Sequence, residues 1–157
     1  MPDDQPFPLR TERLTLRLHE PRDRDALLSY YGDPKVARFL LEGPWDEATT
    51  STKLAERIAR TGLDSPARAL ALVVELEGRV IGDVALWATD ETGAKGEIGW
   101  VFHPDAEGHG YATEAAAAVL QLAFERYGLH RVEAQMDARN VGSASLCARI
   151  GMLREGL

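Results

Sequence analysis

Cysteine is almost absent from this 157-residue chain, with Cys147 standing alone. A single thiol cannot form an internal disulfide or assemble a cysteine-based zinc site. Long apolar runs are missing too, and none approaches the roughly 20 residues that span a bilayer. Positive charge is in deficit: 18 Lys and Arg face 25 Asp and Glu, a formal net charge of -7. That balance argues against a nucleic-acid binder that relies on a basic surface. It is compatible with a cationic acceptor such as an amine. The first residues, Met1-Pro2-Asp3-Asp4-Gln5, are acidic and hold no apolar stretch, so they do not read as a signal peptide. These absences lead to a cytoplasmic protein that binds neither membrane nor nucleic acid.

What is present is the composition of an ordinary globular domain, 45% hydrophobic and 27% charged. The length suits one domain over residues 1–157, with residues 1–9 as a loose tail. Leu14, Leu16 and Leu18 alternate with polar neighbours and predict a half-buried strand. A short helix follows Glu20-Pro21, and a second is expected over 46–59. Residues 62–66 are a break. Strands are expected over 69–76 and 79–87, joined by a Glu77-Gly78 turn, and over 96–102, which His103-Pro104 ends. Ala116, Val119, Leu120, Ala123, Phe124 and Tyr127 repeat at helical spacing, and Gly128 stops that helix. A strand over 131–136 and a short helix over 143–150 complete the order. Antiparallel strands followed by a strand–helix–strand unit make a mixed α/β sheet rather than a doubly wound one.

The most informative segment is Gly108-His109-Gly110-Tyr111-Ala112-Thr113-Glu114, between an alternating strand and an apolar helix. Two glycines at such a junction let backbone N–H groups turn outward. The following helix adds its free N–H groups and the positive end of its dipole. Together they form a cradle for a phosphate or pyrophosphate. A dinucleotide fingerprint needs a third glycine where Thr113 stands, and its glycines follow the strand at once. Here residues 103–107 intervene, although Glu133 lies near the spacing of a ribose-binding acid. A Walker loop needs a Gly-Lys-Ser or Gly-Lys-Thr that this segment lacks.

Four segments together resemble the GNAT N-acetyltransferases, in the branch similar to RimJ and RimL. Ile98-Gly99-Trp100-Val101 with the glycine loop resembles the family's acetyl-coenzyme A motif. Glu12-Arg13-Leu14-Thr15-Leu16-Arg17 is similar to the first strand of that branch. Residues 78–84 are similar to its hairpin, and Arg139-Asn140-x-x-Ser143 with Ile150-Gly151-Met152 to its second motif. The resemblance implies a twisted, mostly antiparallel sheet with one splayed parallel pair and helices on both faces. It implies acetyl-CoA as cosubstrate, no metal, and an amine acceptor, either a protein N-terminus or a small molecule. The cosubstrate would meet Val101, Phe102 and His103 through its pantetheine arm. Its pyrophosphate would lie on Gly108, His109, Gly110, Tyr111, Ala112 and Thr113, with Asn140 and Ser143 as further contacts.

The catalytic assignments are narrower. Glu97 is the favoured general base, because it shares a strand face with Gly99 and Val101. Glu133 and Asp137 are lesser candidates, and a cross-strand ion pair is the alternative for Glu97. Ser143 is the proton donor to the leaving thiolate that the resemblance implies, since the RimL-like branch has a serine at this place, with a helix N-cap as its other role. Many relatives place a tyrosine where Cys147 stands, and a buried cysteine more often fills a core. Glu107 replaces the family's usual Gln or Arg before the loop. Trp45, Trp87 and Trp100 are candidate pocket walls, with Trp87 preferred and Glu97 beside it. His103 and His109 lack ligand-like partners. The resemblance leads to an expectation that the closing C-terminal strand is missing, leaving an exposed edge and a possible homodimer. A non-catalytic acyl-CoA-binding sensor is the competing reading.

Overall fold

The computed structural model describes residues 6–40, 42–135 and 141–153. Their strands form one seven-stranded sheet. Its path runs β1 (Leu9–Arg10), β2 (Thr15–Leu18), β4 (Ala69–Leu76), β5 (Arg79–Ala88), β6 (Lys95–Phe102) and β7 (Arg131–Glu133). β3 (Thr61–Gly62) pairs with the start of β4. Neighbours are antiparallel except β6 and β7, which run parallel. The expected mixed sheet with one parallel pair is therefore present.

Alternation along the strands divides the side chains between two faces. Leu14, Leu16, Leu70, Leu72, Val74, Val84, Leu86 and Ile98 form one buried face. Helix α4 (Tyr111–Glu125) covers it with Ala115, Val119 and Ala123. The opposite face is covered by α1 (Arg24–Tyr31) and α3 (Glu47–Ile58), through Leu27, Tyr30, Tyr31 and Leu54, with Trp45 from the loop before α3; α2 (Pro34–Ala37) adds Val36 at the margin of this cluster. Helices thus lie on both faces. Asp46 caps α3 by accepting the Thr49 N–H at 2.7 Å. Helix α5 (Val141–Arg149) follows β7. None of the described helices is long and apolar enough to cross a membrane.

Several expectations need correction. Leu9 is not part of a loose tail: it pairs with Leu16 in the sheet, and both Phe7 and Leu9 pack against the core. Their apolar side chains find a hydrophobic surface there, which a composition-based tail assignment ignores. Residues 61–62 are a short strand rather than only a break. Between the two expected helices lies α2, which Asp33 starts by accepting the Lys35 N–H at 2.9 Å. Phe124 is 45% exposed. The buried seam of α4 runs through Ala116, Val119 and Ala123, and Phe124 lies one step of about 100° beyond it. The last described strand ends at Glu133, and Met136 lies outside the described residues.

Candidate active site

The splay between β6 and β7 follows from their register. The two strands pair at Lys95–Arg131, Gly96–Val132 and Glu97–Glu133, and there the ladder stops. β6 continues to Phe102, still paired on its other side with β5 as far as Gly82. β6 therefore runs on past Glu133, where β7 ends among the described residues. A cavity of about 1290 Å³ opens along this stretch. β6 borders it through Gly99, Trp100, Val101 and Phe102, and α5 through Ser143, Leu146 and Arg149. Trp87 also lines the cavity, and its ring lies across the strand against Gly99. A Cβ on Gly99 would come 3.3 Å from Trp87 Cη2.

The glycine loop closes one end of the cavity. Gly108 and Gly110 have φ of 84° and 79°, left-handed values that a side chain disfavours. Gly108, Gly110, Tyr111, Ala112 and Thr113 line the cavity. Gly110 is the N-cap of α4, and the first intrahelical bond recorded runs from the Glu114 N–H to the Gly110 carbonyl at 3.0 Å. The N–H groups of residues 108–113 meet no backbone carbonyl among the described residues. An unoccupied row of N–H groups at the positive end of a fifteen-residue helix fits an anion such as a pyrophosphate. His109 turns away and stacks on Tyr111, ring centroids 5.3 Å apart. The backbone N–H of Glu107 donates to the Pro104 carbonyl at 3.2 Å, and the residue lines the cavity.

Sequence reasoning missed the clamp that fixes this loop. Arg13, just before β2, donates from Nε to Glu114 Oε1 at 2.7 Å and from Nη1 to the His109 carbonyl at 2.9 Å. Its guanidinium lies 4.6 Å from the Tyr111 ring centroid. The Arg13 backbone N–H and the Thr11 hydroxyl both donate to Glu114 Oε2. Burial pushes the Glu114 carboxyl up, but these hydrogen bonds and the Arg13 charge outweigh it and hold the group below its ordinary value. The signal was available in Glu12-Arg13 and in Glu114 itself, but nothing in one sequence pairs positions so far apart.

Ser143 lies in the first turn of α5, which begins at Val141, so it is not the residue that caps this helix. Its Oγ accepts from Trp100 Nε1 at 3.2 Å. An indole N–H can only donate, so this bond uses a lone pair of the hydroxyl oxygen. Arg149 donates from Nη1 to Thr113 Oγ1 at 3.2 Å, tying α5 to the loop. Glu97 pairs with Trp87 on one side and Glu133 on the other. It stands on the same strand face as Gly99 and Val101, which line the cavity, but Glu97 itself is not among the lining residues. Burial, then the Glu133 charge, raise its pKa. Val101, Phe102 and Trp87 line the cavity, and His103 follows them with its N–H donating to the Ile81 carbonyl at 2.8 Å. Cys147 is half-buried in α5, and burial raises its thiol pKa. Asn140 and Asp137 lie outside the described residues. No metal-holding group of His, Cys, Asp and Glu occurs among the described residues.

The far wall is a polar cluster buried between α1, α3 and β5. Asp83 accepts from Tyr30 at 2.6 Å and Tyr31 at 3.0 Å, and lies 3.2 Å from Arg57 Nη1. Tyr31 and Trp45 stack with ring centroids 3.8 Å apart, and Arg57 lies over both rings. Burial, with the Asp83 charge next, raises the Tyr31 hydroxyl pKa above its ordinary value.

An open strand edge beside an anion cradle is an arrangement for a long phosphate-bearing ligand, and sequence comparison decides which class. The profile described as Acetyltransferase (GNAT) domain matches residues 13–153. This chain belongs to the GNAT acetyltransferase family. It is 30% identical over 149 residues to the uncharacterized N-acetyltransferase p20 of Bacillus licheniformis, covering 95% of this chain and 84% of that one. It is 31% identical over 148 residues to the uncharacterized N-acetyltransferase YnaD of Bacillus subtilis, with 94% and 84% covered. The crystal structure of a GNAT-family acetyltransferase from Bacillus anthracis superposes with a TM-score of 0.83 at 31% identity, over 94% of this chain and 84% of that one. The protein is an acetyltransferase that takes its acetyl group from acetyl-CoA.

Proposed function

We propose that this acetyltransferase acts on a primary amine, by direct attack of the amine on the thioester of acetyl-CoA held in the gap between β6 and β7. The observation that carries this reading is the end of the β6–β7 ladder at Glu97 and Glu133, beside a loop with unpaired N–H groups. The pantetheine arm contains amides and can pair with the edge of β6 away from β5, beside Val101, Phe102 and His103, as a peptide adds to a sheet; the His103 N–H itself is already bound to the Ile81 carbonyl. The pyrophosphate meets the N–H groups of residues 108–113, and Asn140 adds a contact from the second motif.

In the transfer, the amine nitrogen bonds to the thioester carbon and the C–S bond breaks. The departing thiolate takes a proton from Ser143, whose hydroxyl Trp100 orients. The amine loses one proton overall; Glu97 receives it through water, and solvent carries a proton back to Ser143, so that both groups end as they began. A carboxyl with a raised pKa is a better base near neutrality than an ordinary one. Trp87 forms the wall beside the reacting groups. A cytoplasmic site of action belongs to this reading, because acetyl-CoA is the donor.

Thiol release from acetyl-CoA, followed with a panel of primary amines and N-terminal peptides, tests it. Amine-dependent release with one acetylated product per thiol is the expected result. Tight binding of acetyl-CoA with no release across the panel would favour a non-catalytic acyl-CoA sensor.

A further inference from the structure

The part of the cavity wall built by residues 31–60 and β5 is rich in cations, in a protein whose net charge is -7. Lys35, Arg38, Arg57 and Arg60 line it, against Glu42 and Asp83. Both of those carboxylates are committed. Asp83 holds Tyr30, Tyr31 and Arg57. Glu42 accepts from Trp45 Nε1 at 2.9 Å and lies 4.0 Å from Lys53 Nζ. Arg60 reaches only Glu56, one turn earlier on the helix, at 3.9 Å. Lys35 and Arg38 have no carboxylate within ion-pair distance among the described residues. Arg38 instead lies 4.5 Å over the Phe39 ring. An acidic chain has many carboxylates with which to neutralise these cations. Leaving Lys35 and Arg38 open on the cavity, with Arg60 held only by a long ion pair, gives that wall a positive field.

We infer that the acceptor is an amine carrying an acidic group, a carboxylate or a phosphate, near its nitrogen, and that Lys35, Arg38 and Arg60 select it. The inference rests on the acetyl-transfer site proposed above. It reverses the simple expectation from net charge, which pointed to a cationic acceptor. The attacking amine must be neutral, and nearby cations disfavour its ammonium form. The same cations attract an anion on the rest of the molecule, so one set of charges serves both ends. An amino acid, an aminoalkyl phosphate and a peptide with acidic residues at its N-terminus share this chemistry. Transfer consumes only the amine and acetyl-CoA: the N–C bond replaces the C–S bond, and the amine proton balances the thiolate.

The test uses the intact chain and saturating acetyl-CoA, with matched acceptors. Glycine is compared with glycinamide, 2-aminoethyl phosphate with 2-aminoethanol, and an acidic N-terminal peptide with its amide counterpart. The acidic member of at least one pair is expected to have a kcat/KM higher by roughly tenfold. The pair with the largest ratio identifies the source of the anion. In a Lys35→Gln, Arg38→Gln double variant, checked for folding by its melting temperature, the ratio is expected to fall toward one through a rise in acceptor KM. Equal kcat/KM within every pair overturns the inference while leaving acetyl transfer intact. So does a preference that survives the double variant. A variant that raises the KM for acetyl-CoA instead assigns these cations to the cosubstrate's phosphates, which also overturns it. No thiol release with any acceptor sinks the acetyl-transfer site assignment, and this inference with it.

Discussion

Arg13 Nε and Glu114 Oε1 stand 2.7 Å apart, joining the segment before β2 to the first turn of α4. Through the same guanidinium, Arg13 holds the carbonyl of His109, inside the glycine loop. The pair therefore fixes the loop's shape before any ligand arrives. Glu114→Gln weakens this clamp, and the KM for acetyl-CoA is expected to rise by about tenfold with a smaller change in kcat. The clamp also makes a pH prediction. The Glu114 carboxyl is held below its ordinary 4.5. Its stabilising effect is present above that value and is lost as pH falls through the lower folded-state value. Melting curves between pH 6 and about 3 should therefore show less acid sensitivity in Glu114→Gln than in the parent.

Ser143 and Trp100 make a second pair with a directional consequence. Ser143→Ala removes the proposed proton donor and is expected to lower kcat by about a hundredfold, leaving acetyl-CoA affinity nearly unchanged. Trp100→Phe keeps the hydroxyl but removes the N–H that orients it at 3.2 Å. Its kcat should fall by less, about threefold to tenfold. Steady-state kinetics on the two variants check the order. A Ser143→Ala variant with parental kcat would assign Ser143 to structure alone.

Glu97 is expected to control the acid limb of the pH profile. A general base must be deprotonated to act, so kcat/KM falls as pH drops through its pKa. That pKa is raised by burial and by the Glu133 charge. Removing the charge in Glu133→Gln lowers the Glu97 pKa, and the acid limb should move to lower pH. In Glu97→Gln that limb should disappear together with most of the activity. An unmoved limb in Glu133→Gln would separate Glu97 from the reaction.

Asp83 is 4% exposed, hydrogen-bonded to two tyrosines and ion-paired with an arginine. Asp83→Ala leaves the Arg57 cation and both hydroxyls without their acceptor. The expected loss is about 3–5 kcal/mol of folding stability, measured by denaturant unfolding. The Tyr31–Trp45 stack would lose its anchor at the same time.

His19 sits 4% exposed, with neither ring nitrogen hydrogen-bonded. Burial pushes its pKa down from 6.5 to about 4, and the Arg57 and Arg17 charges add to this against the pull of Asp83 and Asp23. The unfolded chain binds a proton there that the folded chain refuses. Stability is therefore lost as pH falls below about 6.5, and the loss levels off near 4. Replacing His19 with Phe is expected to flatten melting temperature across that window.

Local chemistry explains what was legible in the sequence. Strand alternation at Leu14, Leu16 and Leu18, helical spacing in α4 and the two loop glycines are short-range patterns, and each one appears in the fold. The site was legible where a motif is contiguous, as at residues 108–113. What stayed hidden is long-range. Arg13 meets Glu114, and Trp100 meets Ser143, only after the sheet brings them together. Asp83 sits in an alternating strand and looks like an outward-facing residue until α1 and α3 cover it. Net charge is silent for the same reason, because it does not say that Lys35 and Arg38 line the cavity.

The central claim is that acetyl-CoA occupies the gap where β6 outruns β7, with its pyrophosphate on the glycine loop. Amide hydrogen exchange with and without coenzyme A tests this most directly. Slowed exchange confined mainly to residues 98–103 and 108–113 is the predicted result. Slowing over α1 to α3 alone, with both of those segments unchanged, would contradict it.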